Sequence, residues 1–234
     1  MKSINPDGRL KEPVGICIGI RKNEVEEIYV YEYEARTVFV LNRDFKLIKK
    51  IGVNLEASYY LTIDCDNLYC LHGGSVTVWN VNYANLIKKL EIEHPLDLKI
   101  SENKIYIVSE ADYDSDRRNR KLIKVKKGNY INVLNKSNHE IINILQFDDW
   151  FDPHSLHVSS KGDVYTTAYE LDTNNGIYSK NRFLFIINST NYQIKQKIEL
   201  NDVDSFGDGL HLINQLILCH VNGTKNLLRI IEFE

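Results

Sequence analysis

One phrase, written four times, limits what this chain can become. "VFVLNRDFKLIKKI" (38–51), "VTVWNVNYANLIKKL" (76–90), "INVLNKSNHEIINIL" (131–145) and "LFIINSTNYQIKQKI" (184–198) each pass from an apolar run through a polar turn into a second run. Alternation with period two and many β-branched and aromatic residues mark these runs as strands, and no stretch keeps convincing helical spacing. Upstream of each phrase stands another strand pair: "PVGICIGI…EIYVYEYE", "SYYLTIDCDNLYCLHG", "PLDLKISENKIYIVSE" and "PHSLHVSSKGDVYTTAYE". A shorter last copy, "DGLHLINQLILCHV…NLLRIIEF", stops after its third strand. With only four prolines and twelve glycines, the turns lean on Asn, Asp, Ser and Lys.

These copies predict five units, at 8–52, 53–92, 93–147, 148–200 and 201–234. Units of roughly 40–55 residues built from four short strands are the blades of a β-propeller. A lone antiparallel sheet of this kind cannot bury both faces, so the blades stack and hide their apolar faces against one another. The expected fold is therefore an all-β single domain over 1–234, a propeller of about five blades whose ring is either incomplete or unusually closed. In each phrase the second half is the outer strand, where lysines face water and guard an exposed sheet edge.

Residues 8–52, "GRLKEPVGICIGIRKNEVEEIYVYEYEARTVFVLNRDFKLIKKIG", resemble an NHL repeat. Pro13 and Gly15 open the inner strand, "IYV" makes the second and "RTVFVL" the third; "DPHSLHVSSKGDVYTTAYE" carries the same likeness. Glu32 stands where the family has an Asp after the second strand, and Trp79-Asn80 is the nearest approach to a WD pair. The resemblance implies a propeller, usually of six blades, used for binding.

The composition narrows the partner class. At 43% hydrophobic the 234 residues can bury a real core, and charged residues break up every apolar run before it reaches a membrane-spanning length of about 20. The stretch "MKSINPDGRLKEP" has no apolar core of the secretory kind, which predicts a soluble intracellular protein. Cys17, Cys65, Cys70 and Cys219 show neither zinc nor redox spacing and are expected to be buried and reduced. A net charge of -3 argues against a whole-surface footprint for nucleic acid.

In a four-stranded meander the turns between strands one and two and between three and four share one end. In this sequence all of these are tight. The opposite end collects the long segments 109–129, 147–154, 169–182 and 201–209, and loops on a rigid scaffold are where binding concentrates. The predicted binding face comprises Trp150, Phe151, Asp149, Asp152, Phe206, Asp208, Tyr113, Arg117 and Arg118. Its aromatic residues serve as desolvated anchors, and its charges orient a protein or peptide partner.

Two other chemistries are written more faintly. His154 follows Pro153, His157 lies three residues on, and His211 repeats the place of His157, so the three are candidate ligands for zinc in the central channel. "PHSL" at 153–156 resembles the inner-strand motif of peptidyl-hydroxyglycine amidating lyases, in which a His after Pro binds zinc. The places matching His154 hold Val14, Tyr59, Leu96 and Asp208, short of the three protein ligands that zinc takes. Calcium is the other candidate cation, from the aspartates of 148–152 and 202–208 or from Asp112-x-Asp114-x-Asp116. The latter run lacks the glycine and distal glutamate of a calcium loop. Gluconolactonase-like propellers hold a metal on channel carboxylates, and no such set is matched here.

The basic run "RRNRKLIKVKK" (117–127) offers Arg117, Arg118, Arg120 and Lys121 to RNA, as some NHL-like proteins do. No nucleophile motif or phosphate loop is present. The sequence thus predicts a non-enzymatic interaction module, with a metal-dependent lyase or lactonase and an RNA-binding protein as its alternatives.

Overall fold

The computed structural model describes the backbone of residues 10–20, 26–52, 55–56, 58–110, 112–116, 121–127, 129–148, 150–171, 181–200, 210–213, 216–220 and 228–232. Side chains are described for these residues except 20, 59, 112–116, 121–127 and everything beyond 200. The chain divides into two compact units, Met1–Pro95 and Leu96–Glu234.

The first unit contains two four-stranded antiparallel meanders. One is β1 (Pro13–Ile20), β2 (Glu26–Glu32), β3 (Thr37–Leu41) and β4 (Leu47–Ile51); the other is β5 (Ser58–Asp64), β6 (Asn67–His72), β7 (Ser75–Asn80) and β8 (Asn85–Glu91). Tyr29, Tyr31, Val38 and Val40 of the first sheet form one buried cluster with Leu61, Leu68 and Cys70 of the second. Pairing sets Tyr29 opposite Val40 and Tyr31 opposite Val38, so these four share a face; Ile28, Val30, Phe39 and Leu41 build a second cluster on the other face. Along β1, Gly15 and Gly19 are buried and Cys17 packs against the shared core, whereas Val14, Ile16 and Ile18 are exposed. Gly19 is required by this packing, since a Cβ there would stand 2.5 Å from Ile63 Cγ2.

The second unit begins in β9 (Pro95–Ile100), followed by β10 (Lys104–Ser109). The segment expected to loop out at 109–129 is instead an antiparallel hairpin, β11 (Asp112–Asp116) and β12 (Lys121–Lys127). The sheet then resumes with β13 (Tyr130–Asn135) and β14 (Ile141–Gln146). Next come β15 (Phe151–Val158), β16 (Val164–Glu170), β17 (Arg182–Ile187) and β18 (Ile194–Glu199) as one meander, and β19 (Leu210–Ile213), β20 (Leu216–His220) and β21 (Leu228–Glu232) as a three-stranded sheet. No helix occurs among the described residues.

Burial follows strand position. The third strands β3 and β17 are buried along their whole length, as nearly are β2, β6 and β10. Strands covered on both faces belong to sheets packed between layers, which is how stacked blades differ from a one-sided meander. Outer strands β8, β14 and β18 are largely exposed, and β4 alternates between exposed and partly buried residues. In the second unit, Val133, Leu145 and Phe147 from one sheet share a core with Leu156, Phe183 and Phe185 of the next.

The recurring phrase has a specific physical cause. In each four-stranded sheet the turn into the outer strand starts at an Asn whose side-chain oxygen accepts main-chain N–H groups. Asn42 accepts from Asp44 and Lys46, Asn80 from Asn82 and Tyr83, Asn135 from Ser137, and Asn188 from Thr190 and Asn191. Such an Asn closes a turn without glycine. Each turn ends in a left-handed residue, Phe45, Ala84, His139 or Tyr192, with φ between 53° and 60°. A β-bulge follows at the start of every outer strand.

Neighbouring inner strands in the second unit are tied by one carboxylate. Buried Asp97 on β9 accepts the Leu156 N–H of β15 at 2.7 Å through Oδ2, while Oδ1 accepts Leu98 N–H and Lys99 Nζ, each at 2.8 Å.

Candidate functional site

In the sheet of β5 to β8 and the sheet of β9, β10, β13 and β14, two sets of main-chain bonds sort the turns to opposite ends. At one end Val81 N–H bonds to Asp66 C=O and Lys136 N–H to Asn103 C=O, joining the tight turns within their own sheets. At the other end, Leu55 bonds to Arg36, His94 to Gly73, Phe147 to Asn129 and Leu171 to Trp150, so connections between second and third strands meet connections between sheets. This second end is the one predicted to carry the long segments.

Around the fourth sheet that end presents a definite constellation. Trp150 sits in the turn before β15, half exposed, with its C=O accepting Leu171 N–H at 2.7 Å and the following N–H, of Phe151, reaching Asp148 C=O at 2.9 Å. His154 turns its ring edge-on to Tyr169 (centroids 5.3 Å apart, 82° between planes), and the Arg182 guanidinium lies 4.0 Å from the Tyr169 centroid. Cation–aromatic stacking of this kind holds a charge without full solvation. Asp152, Tyr169 and Arg182 occupy one line of register across β15, β16 and β17. Arg182 Nη1 donates to Asn181 C=O at 3.0 Å, and Asn181 Nδ2 to Glu170 Oε2 at 2.6 Å. Trp150 is half exposed, whereas Arg182 is buried.

The predicted residues divide into three groups. Trp150 stands exposed at the chosen end. Phe151, Asp152 and Tyr113, expected in connections, belong to strands, the first two to β15 and Tyr113 to β11. Asp152 is 1% exposed, and the Phe151 ring packs edge-on against Phe183 and Phe185 with Lys197 Nζ 4.2 Å from its centroid. Asp149, Phe206, Asp208, Arg117 and Arg118 lie outside the described residues. Tyr169, Arg182 and Asp97 were not anticipated: their roles come from cross-strand neighbours, which local spacing does not reveal.

Backbone pairing sets 112–116 against 121–127. Asp112 stands opposite Lys127, Asp114 opposite Lys124 and Asp116 opposite Lys121, with Tyr113 opposite Val125. Directly opposed unlike charges stabilise a strand pair.

His154 and His157 pack on different rings. His154 packs on Tyr169 and His157 on Tyr165, the latter with centroids 6.4 Å apart, and His211 takes a register place opposite Leu218 in β19 and β20. Among the described residues no three of His, Cys, Asp or Glu come together as a metal site. Of the cysteines, Cys70 is buried and Cys17 half-buried, and burial raises both thiols, Cys17 to about 12. Cys65 is exposed at φ 52° in the turn between β5 and β6, where "CDN" (65–67) reads as a turn, and so departs from the burial expected of the cysteines.

No protein-family model matches the sequence, nor does any curated protein. Among solved structures the chain is similar to Kuenenia stuttgartiensis hydrazine synthase, with a TM-score of 0.70 at 16% identity over 90% of this chain. It is similar also to dihydro-heme d1 dehydrogenase NirN in complex with DHE, with a TM-score of 0.56 at 10% identity over 80% of this chain. The fold is β-propeller-like. The chain spans 56% of the first of those chains and 38% of the second, so the likeness is one of architecture. Among the described residues no helix is long and apolar enough to cross a membrane.

Proposed function

We propose that this protein is a non-enzymatic interaction module: an NHL-like β-propeller of five repeats in a single intracellular domain. It offers the Trp150 end of its sheets to a protein or peptide partner. The observation that carries this reading is Trp150 itself, half exposed and fixed by main-chain bonds at the junction of two connections. An indole of that size exposed on a rigid frame suits a desolvated anchor for a partner. Within the same sheet the buried Arg182 stacks on Tyr169.

The NHL-like assignment draws support from Glu32. At the place of the family's Asp, its buried carboxylate accepts N–H groups from Lys11, Glu12 and Ala35 and so ties the approach to β1 to the turn after β2. Affinity capture from an extract of the native source tests the function. Wild-type protein is expected to enrich a partner that Trp150→Ala loses at an unchanged melting temperature. Equal capture by both proteins, or a sharp fall in melting temperature, would refute the assignment of Trp150 as anchor.

A further inference from the structure

The outer strands align position by position: "LIKKI" in β4, "LIKKL" in β8, "IINIL" in β14 and "IKQKI" in β18. Their fourth residues are Lys50, Lys89, Ile144 and Lys197. Lysine on an edge strand blocks pairing with another chain, because joining the edge would bury its charge. Three edges carry a lysine at this place, Lys50 over the Phe39 ring, Lys197 over Phe183 and Lys89 beside Glu56 and Glu91. In β14 isoleucine replaces it, and Asn143 replaces the preceding lysine of β4 and β8. The bulge common to all four outer strands does not distinguish this edge from the others.

Three further features of β14 point outward. Ile141, Ile142 and Ile144 are each half exposed. The Ile144 N–H bonds to Asn143 Oδ1, the side chain of its own neighbour, at 2.9 Å; it is an edge donor held by a local substitute. A groove of about 410 Å³ beside the strand, lined by Ile144, Leu145, Phe147, Ile187, Tyr192 and Ile194 among others, has no charged residue in its lining. Lys104, whose ammonium lies over Tyr192, is tied to Ser189 C=O at 2.6 Å.

We propose that β14 pairs antiparallel with β14 of a second copy of this chain, joining two sheets across a two-fold axis at Ile144. A strand centred on an outward-facing residue is self-complementary: Ile144 of each copy exchanges both main-chain bonds with Ile144 of the other, and Ile142 lies opposite Gln146. The occupant follows from charge and symmetry. Both partners bring an edge without lysine and the same outward donor, and a β4, β8 or β18 edge would bring a lysine into the seam. Strand addition of this kind draws its affinity from main-chain bonds and its selectivity from the side chains beside them.

The seam is short, so the expected dimer is weak, with a Kd on the order of 10 μM. Sedimentation of the full chain from about 1 to about 300 μM should show the mean mass rising from monomer toward dimer. Ile144→Lys, which restores the residue of the other edges, should raise Kd at least about tenfold, a change of about 1.4 kcal/mol. Ile87→Lys, at an exposed place on β8, should leave association unchanged. A monomer at every concentration, an Ile144→Lys protein that dimerises like wild type, or equal loss in the Ile87→Lys control would each overturn the proposal. Hydrogen exchange gives a readout on the unmodified protein: protection of the Ile144 amide should grow with concentration, and concentration-independent exchange would overturn it too.

Discussion

Replacing Asp97 by Ala tests how the third and fourth sheets are held together. The carboxylate serves three donors, and their environments set the magnitude. Leu156 N–H lies on a fully buried residue 59 positions away, and losing its acceptor leaves a donor that water cannot reach. That costs about 1–3 kcal/mol. Leu98 is also buried and loses a closer acceptor, for a combined expectation of about 2–4 kcal/mol. Lys99 contributes less, since its side chain is 28% exposed and water can solvate the ammonium; an ion pair of that kind gives about 0–1 kcal/mol. Urea unfolding followed by circular dichroism should therefore rank Asp97→Ala well above Lys99→Met. Asp97→Asn should fall between them, because an amide keeps one acceptor and turns its NH₂ toward a second donor. For a chain of this length, a loss of about 2–4 kcal/mol lowers the melting temperature by roughly 4–16 °C. If Lys99→Met destabilised as much as Asp97→Ala, or Asp97→Ala cost less than about 0.5 kcal/mol, the inner-strand tie would not be what the carboxylate supplies.

Two further outcomes follow from buried groups in the first unit. Burial raises the Glu32 pKa, but N–H bonds from Ala35, Glu12 and Lys11 and the charge of Lys11 outweigh it and hold the carboxyl below its ordinary value. Its contribution is thus full above the unfolded value of about 4.3 and is lost as pH falls through the lower folded one. Glu32→Gln should cost about 1–3 kcal/mol at pH 7, and the gap to wild type should shrink on acidification below about pH 4; a gap constant with pH would contradict this. Gly19→Ala should destabilise by about 1–3 kcal/mol in thermal unfolding, because the new methyl meets the branched Cγ2 of Ile63, which cannot swing aside. A neutral Gly19→Ala would mean that β1 and β5 do not pack this closely.

The repeat was legible because its causes are local. An Asn that caps its own turn, a left-handed residue and a bulge all act within about six residues, so they leave the same letters each time. The outer strands were legible for a similar reason, since solvent on one side lets lysines show. Side-chain roles that depend on a partner far along the chain were not. Asp97 reads as one more polar residue until β15 arrives beside it, and Arg182 gains its meaning only from Tyr169 across the ladder. "FDDWFDPH" reads as a loop because aspartates interrupt it, yet β15 takes Phe151 and buries Asp152. The strands at 112–116 and 121–127 were obscured because their alternation is of charge rather than of hydrophobicity.

The functional account depends most on Trp150 as a contact made by the folded protein. A photo-crosslinking phenylalanine analogue at position 150, with the same analogue at the exposed outer-strand position 87 as reference, measures that contact directly. The account predicts a discrete product with a partner protein from position 150 and none from position 87. Products from both positions alike, or only internal crosslinks from position 150, would contradict it.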